Sequence, residues 1–348
     1  MQINNAREIV TSYRGRPLRI MEVCGTHTHE IFKLGIRNIL PENIKLVSGP
    51  GCPVCVTEVG FIDEAVMLAK EHGVTVCTFG DLVRVPGSQS SLAQARTEGA
   101  DVRIVYSPLD ALALAEKEPA RQVVFLSVGF ETTVPGSCLA VRKAAEKNLA
   151  NFSILGANKT MPQAYAALKN SADAFLFPGH VSVISGTGIY EELCKQGVSG
   201  VVCGFTAEEI LTALAEIVTA FADNRTPFFK NCYPRVVSAA GNPAARALIE
   251  EVMEPCDAEW RGLNVIPGSG LRLREKYTSY DARKKFALPP VSGRGNPACR
   301  CGTVLRGDCL PSDCPLFGKV CTPLHPVGAC MVSGEGACSA FYQYGGKF

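Results

Sequence analysis

The sequence predicts an α/β protein of two parallel-sheet, doubly wound (Rossmann-like) units followed by a smaller cysteine-rich C-terminal domain. Short apolar runs alternate with segments of helical period over the first 222 residues, which is the rhythm of βα units. Seven of the sixteen cysteines fall in the last 50 residues, which marks a separate module. The expected division is 1–120, 121–228 and 229–348.

The elements follow in order. "LRIMEV", "IKLVS", "VTVCTF" and "VRIVY" read as strands, each followed by a helix, at 28–40, 59–72, 89–98 and 108–117. The rhythm resumes with "VVFLSV", "FSILG", "AFLF" and "GVVCGF", with helices at 136–149, 161–169, 186–196 and 207–222. In the last of these Ile210, Leu214, Ile217 and Phe221 recur at helical spacing and give one apolar face for a sheet. A further helix at 241–254 and a β-like stretch around 258–275 precede the tail.

Composition removes several function classes. The 348 residues carry 35 Lys and Arg against 33 Asp and Glu, a net charge of +2, with no basic stripe for nucleic acid. No apolar run approaches the roughly 18 residues of a membrane span. The N-terminal stretch lacks the features of a secretory signal, so the expected location is cytoplasmic. Sixteen cysteines in that compartment point to metal ligation or redox chemistry, because reduced thiols do not persist there as disulfide scaffolds.

In open α/β sheets ligands bind beyond the carboxyl ends of the strands, where loops meet the free N–H groups of helices. The unusual motifs sit there: "CGTHTHE", "GPGCPVC", "GFETT", "FPGH" and "CGFT". Cys24, between a strand and a helix, is expected to be favoured as a thiolate by the helix dipole. Together with His27 it offers sulfur and nitrogen to a transition metal, with His29 the weaker second candidate. Cys52 and Cys55 form a CxxC held by Gly49, Pro50, Gly51 and Pro53. That is either half of a zinc site or a dithiol/disulfide pair, and the absence of a second CxxC or CxxH favours redox exchange, with one thiol's pKa lowered by the following helix. Glu131 is a candidate to hold a proton or orient a ligating histidine. His180 follows a strand among small residues that permit close approach of a ligand. The glycine-rich run after it lacks the P-loop pattern.

The tail cysteines are separated by 1, 7, 4, 6, 8 and 7 residues, without the paired knuckles of zinc ribbons. Scattered thiolates on proline-rich loops suit an iron–sulfur cube better. Cys314, Cys321 and Cys338 are the first choices as ligands, then Cys301, then Cys330; Cys299 and Cys309 are the expected spares.

These motifs, "CGTHTH", "GPGCPVC", "GFETT", "FPGHVSVI" and "DCPLFGKVCTP…GACMVSGEGAC", resemble in order those of the HypD family of [NiFe]-hydrogenase maturation factors. The resemblance covers essentially the whole chain. It implies two α/β domains plus a domain with one [4Fe–4S] cluster. It also implies a scaffold that works with a HypC-type chaperone while iron of the Fe(CN)₂CO unit gains its ligands, with cyanide from a HypE-type donor. By motif, Cys24 would bind iron with His27 nearby, Cys52 and Cys55 would be the redox pair, and Glu131 and His180 would line the cleft. Cys301, Cys314, Cys321 and Cys338 remain the cluster set, and the extra cysteines are not accounted for by the resemblance. The competing expectation is an iron–sulfur-dependent thiol–disulfide reductase of a protein substrate, which would have no use for "CGTHTH". A zinc-stabilised binding module is the third.

Overall fold

The computed structural model describes residues 3–345. Eleven strands form three sheets among the described residues. They are β1 (Leu18–Glu22), β2 (Ile44–Ser48), β3 (Thr75–Thr78), β4 (Val102–Ile104), β5 (Val123–Gly129), β6 (Phe152–Asn158), β7 (Ala174–Pro178), β8 (Gly200–Cys203), β9 (Phe229–Asn231), β10 (Met253–Trp260) and β11 (Asn264–Leu273). One parallel sheet has the order β2-β1-β7-β8-β9, and a second the order β4-β3-β5-β6. The third is the antiparallel hairpin β10-β11, which touches the second sheet through a bridge between Lys159 and Gly270.

Two parallel sheets with helical crossovers were expected and are present, but the strands do not sort by chain order. An expected boundary at 120 falls between β4 and β5 of one sheet, and β1 and β2 belong with β7 to β9. Hydrophobic period reports how a strand is buried, not which strand lies beside it. The first unit is therefore built from two separated stretches of chain, with the second inserted between them.

The helices behave as the sequence pattern says, with local corrections. Pro108–Lys117 and Ala207–Ala222 match the expected spans, and each opens on a reciprocal capping box, Ser107 with Asp110 and Thr206 with Glu209. The apolar face of the second, including the fully buried Ile210, Leu214 and Ile217, packs on the first sheet beside helix Ile3–Thr11. Losing any one of these side chains would cost about 2–5 kcal/mol. The helix expected at 28–40 starts instead at Gly25, directly after Cys24, and breaks at Gly35, whose φ is +64°. Position 186 does not begin a helix; Gly186, φ +78°, separates Gly179–Ser185 from Gly188–Lys195.

The C-terminal residues have little regular structure. Short helices at Cys301–Leu305 and Ala337–Tyr344 bracket loops, and the second packs against Gly25–Lys33. Several tail cysteines share one apolar core with Cys52, Cys55, Trp260 and Tyr165, so the tail closes over the ends of the sheets.

Candidate functional site

Both parallel sheets change winding direction beside their first strand. In the first sheet the switch lies between β1 and β7, the strands that lead into Cys24 and His180. In the second it lies between β3 and β5, and β5 leads into Glu131. At such points adjacent loops diverge and leave a crevice. The expected residues of "CGTHTH", "FPGH" and "GFETT" are thus positioned by topology.

Cys24 is the residue before helix Gly25–Lys33, with extended backbone and 2% exposure. The loop carrying Cys52 lies against it: the Gly25 amide donates to the Gly51 carbonyl at 3.2 Å, and Gly51 has no room for a side chain. Burial pushes the Cys24 thiol up to about 12, aided by the Glu335 carboxylate and opposed by hydrogen bonds from His27 and Thr26. The expectation of a helix-favoured thiolate is corrected here, since desolvation outweighs the amide donors.

His27 is fully buried and its Nε2 lies 2.8 Å from the Gly204 carbonyl. A carbonyl only accepts, so Nε2 carries the proton and Nδ1 carries the lone pair. Nδ1 has no hydrogen-bond partner among the described residues. Burial drives the imidazole down to about 4, so it is neutral. Its ring lies 4.7 Å from that of Phe205, and His180 lies against the same phenylalanine at 5.3 Å. Desolvation lowers the pKa of His180 as well, with Glu335 opposing. His29 turns away: its Nδ1 is 3.4 Å from the Gly334 carbonyl and its ring meets the edge of Tyr344.

Glu131 is buried, and its Oε1 accepts the Met161 amide at 2.8 Å while Oε2 has no partner among the described residues. It orients no histidine. Burial raises its pKa to about 7. Four residues after Met161, on the same face of helix Met161–Ala167, Tyr165 is fully buried, its ring 6.2 Å from that of Tyr190. Cys24, His27 and Glu131 all sit at the strand ends of the two sheets, and His27 and Glu131 each carry a buried polar atom without a hydrogen-bond partner among the described residues. Buried polar groups are almost always satisfied, so such atoms need an explanation.

Cys52 caps the short helix Pro53–Val56, and its Sγ accepts the Cys55 amide at 3.4 Å. Both are thiols, as are all sixteen cysteines. Cys55 is hydrogen-bonded to Cys330 and Cys52, which raises its pKa well above the ordinary thiol value, so Cys55 is not the thiol of the pair that the helix lowers. Cys330 in turn receives hydrogen bonds from Cys301, Cys338 and Cys55, which hold its pKa well below the ordinary thiol value. Cys299 is hydrogen-bonded to Cys301, and Gly328 stands against both sulfurs. Cys321 Sγ accepts the Val327 amide at 3.3 Å, and Cys314 Sγ reaches the Ala298 carbonyl at 3.9 Å.

The structure therefore brings Cys301 and Cys338 together through Cys330, with Cys321 and Cys314 on adjoining loops. Cys330, ranked last as a ligand, is central, and Cys299, expected as a spare, lies beside Cys301. Cys309 makes no hydrogen bond to another cysteine among the described residues and lies near Arg300, Asp313 and Cys314. Glu335 was not singled out from the sequence; it accepts from Thr26 Oγ1 at 2.7 Å and ties the tail to the Cys24 loop. Its position between Cys330 and Cys338 in "GEGAC" was the available signal. Among the described residues no group of three or more His, Cys, Asp or Glu forms a ready metal site. In chemical type the thiol donors and their amide hydrogen bonds fit an iron–sulfur cluster.

The family model described as "Hydrogenase formation hypA family", HypD, matches residues 2–345. The chain belongs to the HypD family. It is 44% identical over 342 residues to a hydrogenase maturation factor HypD of Azotobacter vinelandii, covering 95% of this chain and 90% of that one. It is 46% identical over 337 residues to the protein of that name from Escherichia coli (strain K12), covering 94% and 90%. Among the described residues no helix of this HypD-family chain is long and apolar enough to cross a membrane.

Proposed function

We propose that this chain is a hydrogenase maturation factor that acts as an assembly scaffold, holding iron at Cys24 with a HypC-type chaperone while cyanide and carbon monoxide ligands are attached. The observation that carries this reading is the gathering of Cys24, His27 and Glu131 at the two switch points, where His27 Nδ1 and Glu131 Oε2 are buried without a hydrogen-bond partner among the described residues. A buried thiol pushed up to about 12 does not ionise alone, but coordination deprotonates a thiol outright. Cys24 would thus be silent until metal arrives. Neutral His27 keeps a lone pair available, and Glu131, near 7, can hold or release a proton at Oε2. Cyanide would come from a HypE-type donor.

A [4Fe–4S] cluster would be held by Cys314, Cys321 and Cys338 with Cys301 as fourth ligand, and when bound it supplies electrons singly. Cys299, which touches Cys301, is the alternative fourth ligand, and iron content of Cys299→Ser against Cys301→Ser separates the two. The thiol contacts from Cys52 to Cys55 to Cys330 give a path by which the CxxC pair exchanges with the tail. The same path would serve a disulfide reductase of a protein substrate. That reading leaves Cys24 and the unpartnered His27 Nδ1 without a purpose.

The test is iron and acid-labile sulfide in protein purified without oxygen, followed by infrared spectra of its complex with a HypC-type chaperone. About four iron and four sulfide per chain are expected for the cluster. Cyano and carbonyl bands are expected in the wild type and are lost in Cys24→Ala. Disulfide turnover that survives Cys24→Ala, with no such bands, would establish the reductase instead.

A further inference from the structure

We propose that Arg261 is the positioning residue of the Cys52/Cys55 pair: from the turn of the β10–β11 hairpin it clamps the one-turn helix that carries both sulfurs. This deepens the redox part of the assembly reading and rests on it.

Helix Pro53–Val56 is four residues long, with Cys52 as its cap and Cys55 in its only turn. A helix that short does not hold its shape alone, because one turn gains too few hydrogen bonds to offset nucleation. Its N-terminal end is held from within, by the Cys55 amide on Cys52 Sγ at 3.4 Å. Its C-terminal end is held from far along the chain. The Arg261 amide donates to the Val56 carbonyl at 2.9 Å, and Arg261 Nε donates to the Thr57 carbonyl at 2.9 Å. One residue thus satisfies two successive carbonyls that the helix leaves open.

The clamp stands on rigid ground. Arg261 follows Trp260, which is fully buried, stacks on Phe130 at 5.7 Å and donates from Nε1 to Ser269 Oγ at 2.7 Å. The Leu263 amide closes the turn on the Trp260 carbonyl at 2.9 Å. Gly262, φ +83°, meets the helix that opens on Cys301 backbone to backbone: a Cβ there would stand 2.2 Å from Gly302 Cα. Arg306 Nη1 donates to the Gly262 carbonyl at 2.6 Å. Consecutive residues of one turn therefore grip the CxxC helix and the Cys301 helix, and a turn that only joined two strands would need neither contact. The hairpin turn sets where the pair stands relative to the tail thiols, and Arg261 supplies the side-chain part of that hold. A disulfide has a narrow geometry, so sulfurs kept in one turn bond to each other more readily than sulfurs in a loose loop.

The test is the equilibrium of the pair with glutathione in the full chain purified without oxygen. Glutathione disulfide takes two electrons and two protons from the Cys52 and Cys55 thiols: its S–S bond breaks to give two glutathione thiols, and the Cys52–Cys55 S–S bond forms. Thiol trapping and mass spectrometry of the peptide holding both cysteines reads the oxidised fraction. In Arg261→Met, and in Arg261→Gln should the first not fold, the equilibrium constant for disulfide formation is expected to fall about tenfold, a rise of about 30 mV in potential. Ile217→Val, a destabilising change in the core of the first sheet, is expected to lower the melting temperature and leave the constant where it was. A constant unchanged in the arginine variants, or shifted as far in Ile217→Val, overturns this inference alone. No Cys52–Cys55 disulfide at any glutathione ratio in the wild type overturns the redox reading and this inference with it.

Discussion

Gly51 is pressed against the backbone of Cys24: a Cβ at Gly51 would stand 2.1 Å from the Cys24 amide nitrogen and 2.3 Å from its Cα. The CxxC loop and the "CGTH" loop are thus fixed to each other through backbone, which cannot yield as a flexible side chain can. Gly51→Ala is expected to cost at least about 1–3 kcal/mol by overpacking. Urea unfolding would show the loss, and iron bound at Cys24 should fall with it even though both thiol motifs are intact.

His27 and Glu131 place opposite pH dependences on stability. The histidine falls from 6.5 to about 4, so its contribution is present above pH 6.5 and is lost as pH drops toward 4. The carboxyl rises from 4.5 to about 7, so its contribution is present below pH 4.5 and is lost as pH climbs toward 7. Each amounts to about 3 kcal/mol, and between pH 4.5 and 6.5 the slopes cancel. In metal-free protein, His27→Gln should leave stability that declines with rising pH, and Glu131→Gln stability that declines with falling pH. Parallel slopes in the two variants would contradict this.

Cys330 connects Cys55 to Cys301 and Cys338. Cys330→Ser is expected to retain most of the iron and sulfide while slowing reduction of a Cys52/Cys55 disulfide by at least tenfold, because serine cannot exchange. Thiol trapping over time measures the rate. An unchanged rate would place electron entry elsewhere.

Lys159 is 2% exposed, and its Nζ lies 2.9 Å from Glu58, which retains 22% exposure. Lys159→Met should cost about 1–3 kcal/mol, less than a fully buried pair would, because Glu58 keeps some water. Adding Glu58→Gln should recover part of that cost. A double-mutant cycle with no coupling would show that the pair is not a stabilising contact.

Much of this arrangement was legible in the sequence. The strand ends were placed by apolar runs, so every motif fell at the expected strand end, and the apolar spacing of Ile210, Leu214 and Ile217 announced its helix. Sheet order was not legible, because a βα rhythm reads the same whether β3 pairs with β1 or starts a new sheet. Nor was the depth of Cys24: "CGTH" after a strand looks like an exposed helix start until the Gly51 loop and Glu335 are seen to cover it. The centrality of Cys330 likewise depends on Cys55, 275 positions away.

The first sheet is left after β2 and rejoined only at β7, which has a consequence during synthesis. A ribosome delivers the chain from its N-terminus, and domains generally fold as they emerge. β1 and β2 cannot gain their central neighbour until the whole inserted sheet has been made, and Glu335 arrives almost last. Cys24, Cys52 and Cys55 are therefore made early and sheltered late. A nascent chain would expose three thiols until the Glu335 segment is released to cover the Cys24 loop.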